Sequence, residues 1–235
     1  ALPIYSCGGR MTPKLYLVFA LLISLQADSP ETTVEPEQQK EWPKGALEAL
    51  ERIRTPDGIS KRIIAAGPLV RDPVAFAVDA KGRAYVCESE RQEFGVEDNR
   101  SSPFWLQDDL ALQTVDDRLA MYEKHKDRRQ DGMGYYTARE DRLTCLSDED
   151  GDGIMDTVRP FTDPFAEPLD GTLAGVLVED GTAWITNIPH LWIATDEDQD
   201  GRAESRRSAQ RGFGVRIALR GHDMHGLARG PDGRI

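Results

Sequence analysis

The chain has 235 residues, with 29 Lys and Arg against 41 Asp and Glu, so its formal net charge is −12. This length allows one or two domains with a real hydrophobic core, and 21 Gly and 14 Pro are typical of a turn-rich globular protein. Strong acidity argues against nucleic acid as a partner, because such binding needs basic patches, and it favours cations.

The amino-terminal region has the pattern of an export signal. Residues 11–27 place Lys14 before an apolar run of 11 residues, Leu15 to Leu25. The run fits a secretory h-region and is shorter than the roughly 20 residues that span a bilayer. We predict a signal peptide at 11–27, no further transmembrane helix, and an exported protein. The alternatives are a buried helix or an uncleaved anchor.

The residues on either side of this segment are expected to lie outside the fold. Residues 1–10 precede the start Met and are predicted to be non-native. Residues 28–45 are rich in Glu, Gln, Pro and Thr and are predicted to form a disordered linker. Apolar residues at helical spacing from Ala46 to Ile53 then predict a short helix at the start of the domain, which we place at 46–235.

An internal repeat predicts the fold. Three segments, 74–86, 174–186 and 225–235, share an apolar alternating run, a turn with glycine and a second apolar run, which is the pattern of a β-hairpin. Without 51 additional residues in the first unit, the units recur every 48 to 52 residues. This period predicts an all-β fold, the amino-terminal portion of a six-bladed-type β-propeller with its remaining blades after Ile235.

The additional residues form an insertion in the first blade, at about 88–140. Thr114 and Asp117 give a capping-box pattern that predicts a helix from Val115 to about Lys126. Cys87 and Cys145 flank the insertion in strand-like runs, and we predict buried thiols there, with a disulfide as the alternative.

Two acidic loops carry the sharpest chemical pattern. Each loop follows a strand-like run and contains a DxDxDG-like pattern. The carboxylates are Asp148, Asp150, Asp152 and Asp156 in the first loop and Asp196, Asp198, Asp200 and Glu204 in the second. Alternate carboxylates around a glycine turn resemble the first half of a calcium loop, although neither loop has the twelfth-position Glu of an EF-hand. We predict Ca²⁺ at both loops; a solvated acidic turn is the alternative.

The histidines suggest a second site. His222 and His225 lie within residues 221–226 (GHDMHG), at the start of the third hairpin, and His190 lies between two strands of the second unit. The inner strand of a propeller blade begins near the central channel, and a histidine there is a suitable proton acceptor for alcohol oxidation. A structural histidine, bonded to the backbone, is the alternative.

Several phrases together resemble one family. They are residues 67–76 (GPLVRDPVAF), 95–100 (GVEDNR), 105–110 (WLQDDL), 117–124 (DRLAMYEK), 188–192 (IPHLW), 221–227 (GHDMHGL) and the two acidic loops. The chain resembles, over about residues 51–235, the large exported membrane-bound dehydrogenases or haem-binding CxxCH proteins of planctomycetes and their relatives. The amino-terminal propeller of that family resembles soluble quinoprotein glucose and sorbosone dehydrogenases, and helical repeats and a cytochrome c domain usually follow it.

The resemblance implies a quinone-dependent dehydrogenase of a small sugar or polyol, exported by a bacterium to the periplasm, cell surface or medium. In it, His222 would take the hydroxyl proton while hydride passes to pyrroloquinoline quinone (PQQ), and electrons would reach a haem c domain outside this chain. Asp223, His225 and His190 are candidates to line the substrate or cofactor channel, although His225 stands where the quinoproteins have a small residue. The second hypothesis is a non-catalytic carbohydrate- or protein-binding propeller stabilised by calcium loops.

Overall fold

The chain forms two antiparallel sheets with few helices in the computed structural model, which describes residues 42–217 and 223–235. The strands of the first sheet are β1 (Pro73–Val78), β2 (Ala84–Ser89), β3 (Asp141–Ser147) and β4 (Thr157–Pro160). Those of the second are β5 (Gly175–Glu179), β6 (Thr182–Asn187), β7 (His190–Thr195) and β8 (Ser205–Arg211). In each sheet the four strands lie side by side in chain order. The mostly β fold and the first two predicted hairpins are confirmed.

The two sheets pack face to face around the main hydrophobic core. The first sheet contributes Tyr85, Cys87, Leu143 and Cys145, and the second contributes Val176, Val178, Ala183 and Ile185. Both cysteines are buried and unbridged, as predicted. Burial raises the pKa of Cys145 to about 11 and raises that of Cys87 further, so both thiols are protonated at neutral pH.

The insertion lies between β2 and β3 and contains α2 (Leu106–Ala111) and α3 (Val115–His125) with three short 3₁₀ turns. The capping box of α3 is present as predicted, because the Thr114 side chain accepts from the Asp117 N–H and the Asp117 carboxylate accepts from the Thr114 N–H. Helix α2 was not predicted. Its apolar residues Leu106 and Leu110 are exposed, so they form no buried stripe that a periodicity argument could detect.

The ends of the described chain differ in part from the prediction. Helix α1 (Lys44–Arg52) forms as predicted, but it begins inside the expected linker; Ala46 and Leu50 pack against Ile63 and Ala66. The expected third hairpin has its turn, in which the Gly230 N–H donates to Arg234 O at 2.7 Å, but no strand is formed in 223–235.

Some expectations fall elsewhere in the chain. The predicted signal peptide at 11–27, most of the linker and His222 lie outside the described residues. Among the residues that the structure does describe, no helix is long and apolar enough to cross a membrane.

The antiparallel order of the strands places their connections at two opposite ends of the sheets. One end of the strands, which we call the loop edge, carries the β1–β2 and β5–β6 turns and the acidic loops 148–156 and 196–204. The opposite end of the strands, which we call the insertion edge, carries the insertion, the 161–174 connection and the β6–β7 turn. Strands of six residues separate the two edges by about 20 Å.

Candidate functional site

The first acidic loop is organised around Asp148. Its two carboxylate oxygens accept from the N–H groups of Gly151 and Gly153, each at 2.7 Å. Asp156 closes the loop, because its carboxylate accepts from the Glu149 N–H at 2.9 Å. Both glycines have positive φ, +79° and +80°, which a side chain would disfavour.

The second loop repeats this geometry. The Asp196 carboxylate accepts from the N–H groups of Asp200 and Gly201, each at 3.0 Å, and Glu204 accepts from the Glu197 N–H at 2.7 Å. Gln199 and Gly201 have positive φ at the same two loop positions as the glycines of the first loop. Two segments with the same DxDxDG pattern therefore fold into one loop shape.

Seven of the eight predicted ligands converge. One carboxylate oxygen from each member of a group lies within 4.8 Å of the others; the groups are Asp148, Asp150 and Asp156 in the first loop and Asp196, Asp198, Asp200 and Glu204 in the second. Asp152 lies outside the first group, and its carboxylate accepts from the Ile154 N–H at 2.7 Å. Oxygen clusters of this kind suit a hard cation such as Ca²⁺.

An arginine from the first sheet reaches the second loop. Arg83 Nη1 donates to Gln199 O at 2.9 Å and lies 3.4 Å from Asp196 Oδ2, while its Nε donates to Asp79 Oδ2 at 2.8 Å. Asp196 is 1% exposed, so this contact occurs in a largely desolvated place. The guanidinium therefore supplies positive charge at the rim of the second loop and ties the two sheets together.

The insertion edge holds the second candidate site, at Gly171. The Asp223 carboxylate accepts from the Thr172 N–H at 2.9 Å, and the Asn187 side-chain amide donates to Gly171 O at 2.8 Å. The Gly171 N–H donates to Ile188 O at 2.8 Å. We call this set of residues, 171, 172, 187, 188 and 223, the Gly171 junction.

Two buried oxygens of the Gly171 junction have no hydrogen-bond partner within the described part of the chain. They are Asn187 Oδ1 and Thr172 Oγ1, on residues that are 0% and 6% exposed. Buried polar atoms are normally satisfied, so these two oxygens lack the hydrogen-bond partner that such atoms usually have.

Buried arginines join the insertion to this junction. Arg91, which is 0% exposed, donates to Asp170 O at 2.9 Å and to Tyr136 O at 2.8 Å, and Arg118 donates to Leu169 O at 2.7 Å. Sequence analysis missed both residues. Arg118 had a detectable signal, since it lies on the face of α3 that buries Val115 and Tyr122.

Asp141 is the buried carboxylate at the start of β3. It accepts from the N–H groups of Glu90 and Leu173, each at 2.9 Å, and from the Ser89 hydroxyl at 3.0 Å. Burial raises its pKa, although these hydrogen bonds and Arg91 oppose the change. It fixes the insertion against the chain that leads into β5.

The predicted histidines do not form one cluster in the described residues. His190 begins β7, where its Nδ1 lies 2.7 Å from Ser208 Oγ and its ring lies 4.4 Å from that of Trp192. Burial, with a smaller effect of Arg211, lowers its pKa. His225 is exposed, and no described contact joins either histidine to Asp223.

The described contacts leave PQQ binding a prediction. The quinone carries three carboxylates, so its binding needs accessible cationic donors. Arg91 and Arg118 are buried and donate to backbone carbonyls, whereas Arg211, at the end of β8, is 45% exposed and pairs with Asp116.

Comparison with known proteins gives a family but no activity. A family model described as "Domain of unknown function (DUF7133)" matches residues 46–235. No curated protein and no solved structure gives a significant match.

Proposed function

Because the chain belongs to the DUF7133 family, whose description names no activity, we propose a function from its own residues. We propose the β-propeller portion of an exported dehydrogenase that binds a small sugar or polyol at its insertion edge. The observation that carries the proposal is the Gly171 junction, with a fixed carboxylate and two buried oxygens that lack donors.

The propeller part of the proposal is supported by the arrangement of the strands. Two consecutive four-stranded meanders pack face to face, and β5 of the second lies beside β1 of the first. Propeller blades are four-stranded antiparallel sheets that follow one another in the chain and cover each other's faces.

A polyhydroxylated ligand suits the Gly171 junction chemically. Asn187 Oδ1 and Thr172 Oγ1 would accept hydrogen bonds from its hydroxyl groups, and leaving such atoms unpaired costs about 1–3 kcal/mol each. In the proposed reaction His222, the sequence neighbour of Asp223, would accept the hydroxyl proton, and a bound quinone such as PQQ would take the hydride from the adjacent carbon, which leaves a carbonyl. We further propose that the electrons pass to a cytochrome c domain outside this chain.

The acidic loops have a separate role in the proposal. They lie at the loop edge, about 20 Å from the insertion edge across the strands, so a cation there does not contact the substrate. We propose that both loops bind Ca²⁺ and stabilise the fold.

The activity is tested with the full-length protein, a panel of aldoses and polyols and a redox dye, with and without PQQ and Ca²⁺. We expect dye reduction that His222→Ala abolishes and that His125→Gln, a control in the inserted helix bonded to Asp108, leaves unchanged. Thr172→Val should raise KM more than it lowers kcat, because it removes a ligand hydrogen bond. No dye reduction with any substrate and acceptor would overturn the dehydrogenase proposal.

A non-catalytic carbohydrate-binding module is the second candidate. It is favoured by the oxygens of the Gly171 junction, which require only hydroxyl donors. It predicts saturable binding of a glycan by calorimetry, weakened by Thr172→Val, with no turnover in the dye assay.

A further inference from the structure

The first sheet has one face that is covered only in part. On β1, Ala75 and Ala77 pack against the main core, whereas Val74, Phe76 and Val78 on the opposite face are 50%, 43% and 38% exposed. Phe76 and Val78 line one apolar depression together with Ile64, Val86 and Leu146. We call this side of the first sheet the uncovered face.

The uncovered face of the first sheet is equivalent to the face of the second sheet that packs on the first. In the first sheet the cross-strand pairs are Phe76 with Val86 and Val78 with Ala84. In the second they are Val176 with Ile185 and Val178 with Ala183, and these four residues pack on the first sheet. Equivalent positions of the two repeats thus form a packing surface, occupied in the second sheet and open in the first.

Residues 60–64 stand where the outer strand of a preceding sheet would lie. Between the two sheets, the Ala203 N–H of the second acidic loop donates to Phe161 O, directly after β4, at 2.8 Å. At the same position of the first loop, the Met155 N–H donates to Ile64 O, also at 2.8 Å. Ile64 therefore contacts the first acidic loop in the same way that Phe161, directly after β4, contacts the second.

An arginine two residues earlier confirms the register. Arg159 lies next to Gly201 of the second loop, and Arg62 lies over Gly153, the equivalent glycine of the first. The segments are Ser60-Lys-Arg-Ile-Ile and Thr157-Val-Arg-Pro-Phe, which match at the hydroxyl residue, the arginine and the last apolar residue.

Part of the uncovered face is already buried, in agreement with this position of residues 60–64. Ile64, Ala65 and Val70 pack over Val86 and Leu146, which are 1% and 0% exposed. On the side formed by β1, Val74 and Val78 stay 50% and 38% exposed. Residues 60–64 thus lie at the position of an outer strand, although they form no strand here, and no described residues lie at the positions of the inner strands of a neighbouring sheet.

We propose that the uncovered face binds a three-stranded antiparallel sheet of the same repeat, from the same protein, and that residues 60–64 complete this sheet as its fourth, outer strand. The proposal rests on the propeller part of the proposed function and is independent of the dehydrogenase activity. The second sheet of another copy does not fit, because its own β8 would take the place of residues 60–64.

Hydrogen–deuterium exchange of the full-length protein tests the proposal, with β4 as an internal reference. Residues 60–63 should show protection similar to that of β4, and Phe76→Asp should lower it at least about tenfold. Leu110→Asp, a matched change at an exposed leucine of α2, should leave it unchanged. Light scattering should show that the protected protein is monomeric.

Three results would overturn the proposal. They are exchange of residues 60–63 at the rate of a free peptide in the unmutated protein, protection that Phe76→Asp leaves intact, and protection that appears only with dimer formation. The first of these needs no variant, so the test holds even where Phe76→Asp lowers the yield of folded protein. Loss of dye reduction alone, with protection retained, would count against the proposed activity and leave this inference standing.

Discussion

Gly171 is the residue on which the candidate ligand site depends most directly. A Cβ there would overlap Ile188 and lie 2.7 Å from Asp223 Oδ2. We expect Gly171→Ala to destabilise the fold by about 1–3 kcal/mol, because the backbone or the two neighbours must move. Gly134→Ala is the matched control, since its Cβ would meet nothing closer than 3.7 Å. Urea unfolding of both variants measures the difference, and equal stabilities would contradict the described packing.

His190 provides a pH-dependent prediction at the same scale. Burial, then the positive charge of Arg211, lowers its pKa below the usual 6.5, so the folded state binds fewer protons than the unfolded state just below that pH. Stability from this residue is therefore present above pH 6.5 and lost as the pH falls through that value. We expect His190→Gln to reduce the fall in Tm between pH 7 and pH 5. An NMR titration that places the His190 pKa at or above 6.5 would refute this.

At the scale of elements, the inserted helix α3 depends on its cap. Thr114→Ala removes the side-chain acceptor of the Asp117 N–H and should cost about 1 kcal/mol, whereas Thr114→Ser keeps it and should cost much less. Circular dichroism with urea unfolding measures both. A similar loss for the two variants would indicate that the methyl group, and not the hydrogen bond, matters.

The elements that sequence analysis predicted are those specified by near neighbours. The hairpins 74–86 and 174–186, the capping box and the acidic loops each depend on residues within one turn or one strand pair. The insertion edge was not predicted, because its contacts join distant parts of the chain: Arg91 and Asp170 are 79 residues apart. Arg118 was overlooked since a charged residue on a buried helix face is uncommon.

Arg83 also joins distant parts of the chain, because it links the two sheets, and this contact is testable. Arg83→Gln leaves the Asp79 and Asp196 carboxylates, with side chains 7% and 0% exposed, without their cation. We expect a loss of about 3 kcal/mol, as for one partner removed from a buried ion pair. Arg202→Gln, at an exposed arginine of the second acidic loop, should change stability by less than about 0.5 kcal/mol. Comparable losses for the two variants would show that Arg83 does not hold the sheets together.

For the whole molecule, the proposed function assigns stability to one edge and ligand binding to the other. The net charge of −12 is unfavourable for a compact state, and the clustered carboxylates of the loop edge add to it locally. The proposed Ca²⁺ at that edge would offset the repulsion by binding only the folded state. The Gly171 junction lies across the sheets from it and needs no cation to hold its shape, because the Thr172 N–H already positions Asp223 and the Gly171 carbonyl already positions Asn187.

Calcium removal is therefore expected to change stability and leave ligand affinity nearly unchanged. At a free concentration 100 times Kd, each occupied loop would contribute about 2.7 kcal/mol, which corresponds to several degrees in Tm for a domain of this size. We expect a chelator to lower Tm, and this effect to be smaller in Asp148→Asn and in Asp196→Asn than in the unmutated protein. Asp57→Asn, an acidic residue outside both loops, is the control. Polyol affinity at 25 °C should stay within about twofold, since coupling over 20 Å between two rigid edges has no bistable element to carry it. A chelator that abolishes polyol binding at an unchanged Tm would place the functional cation at the insertion edge instead.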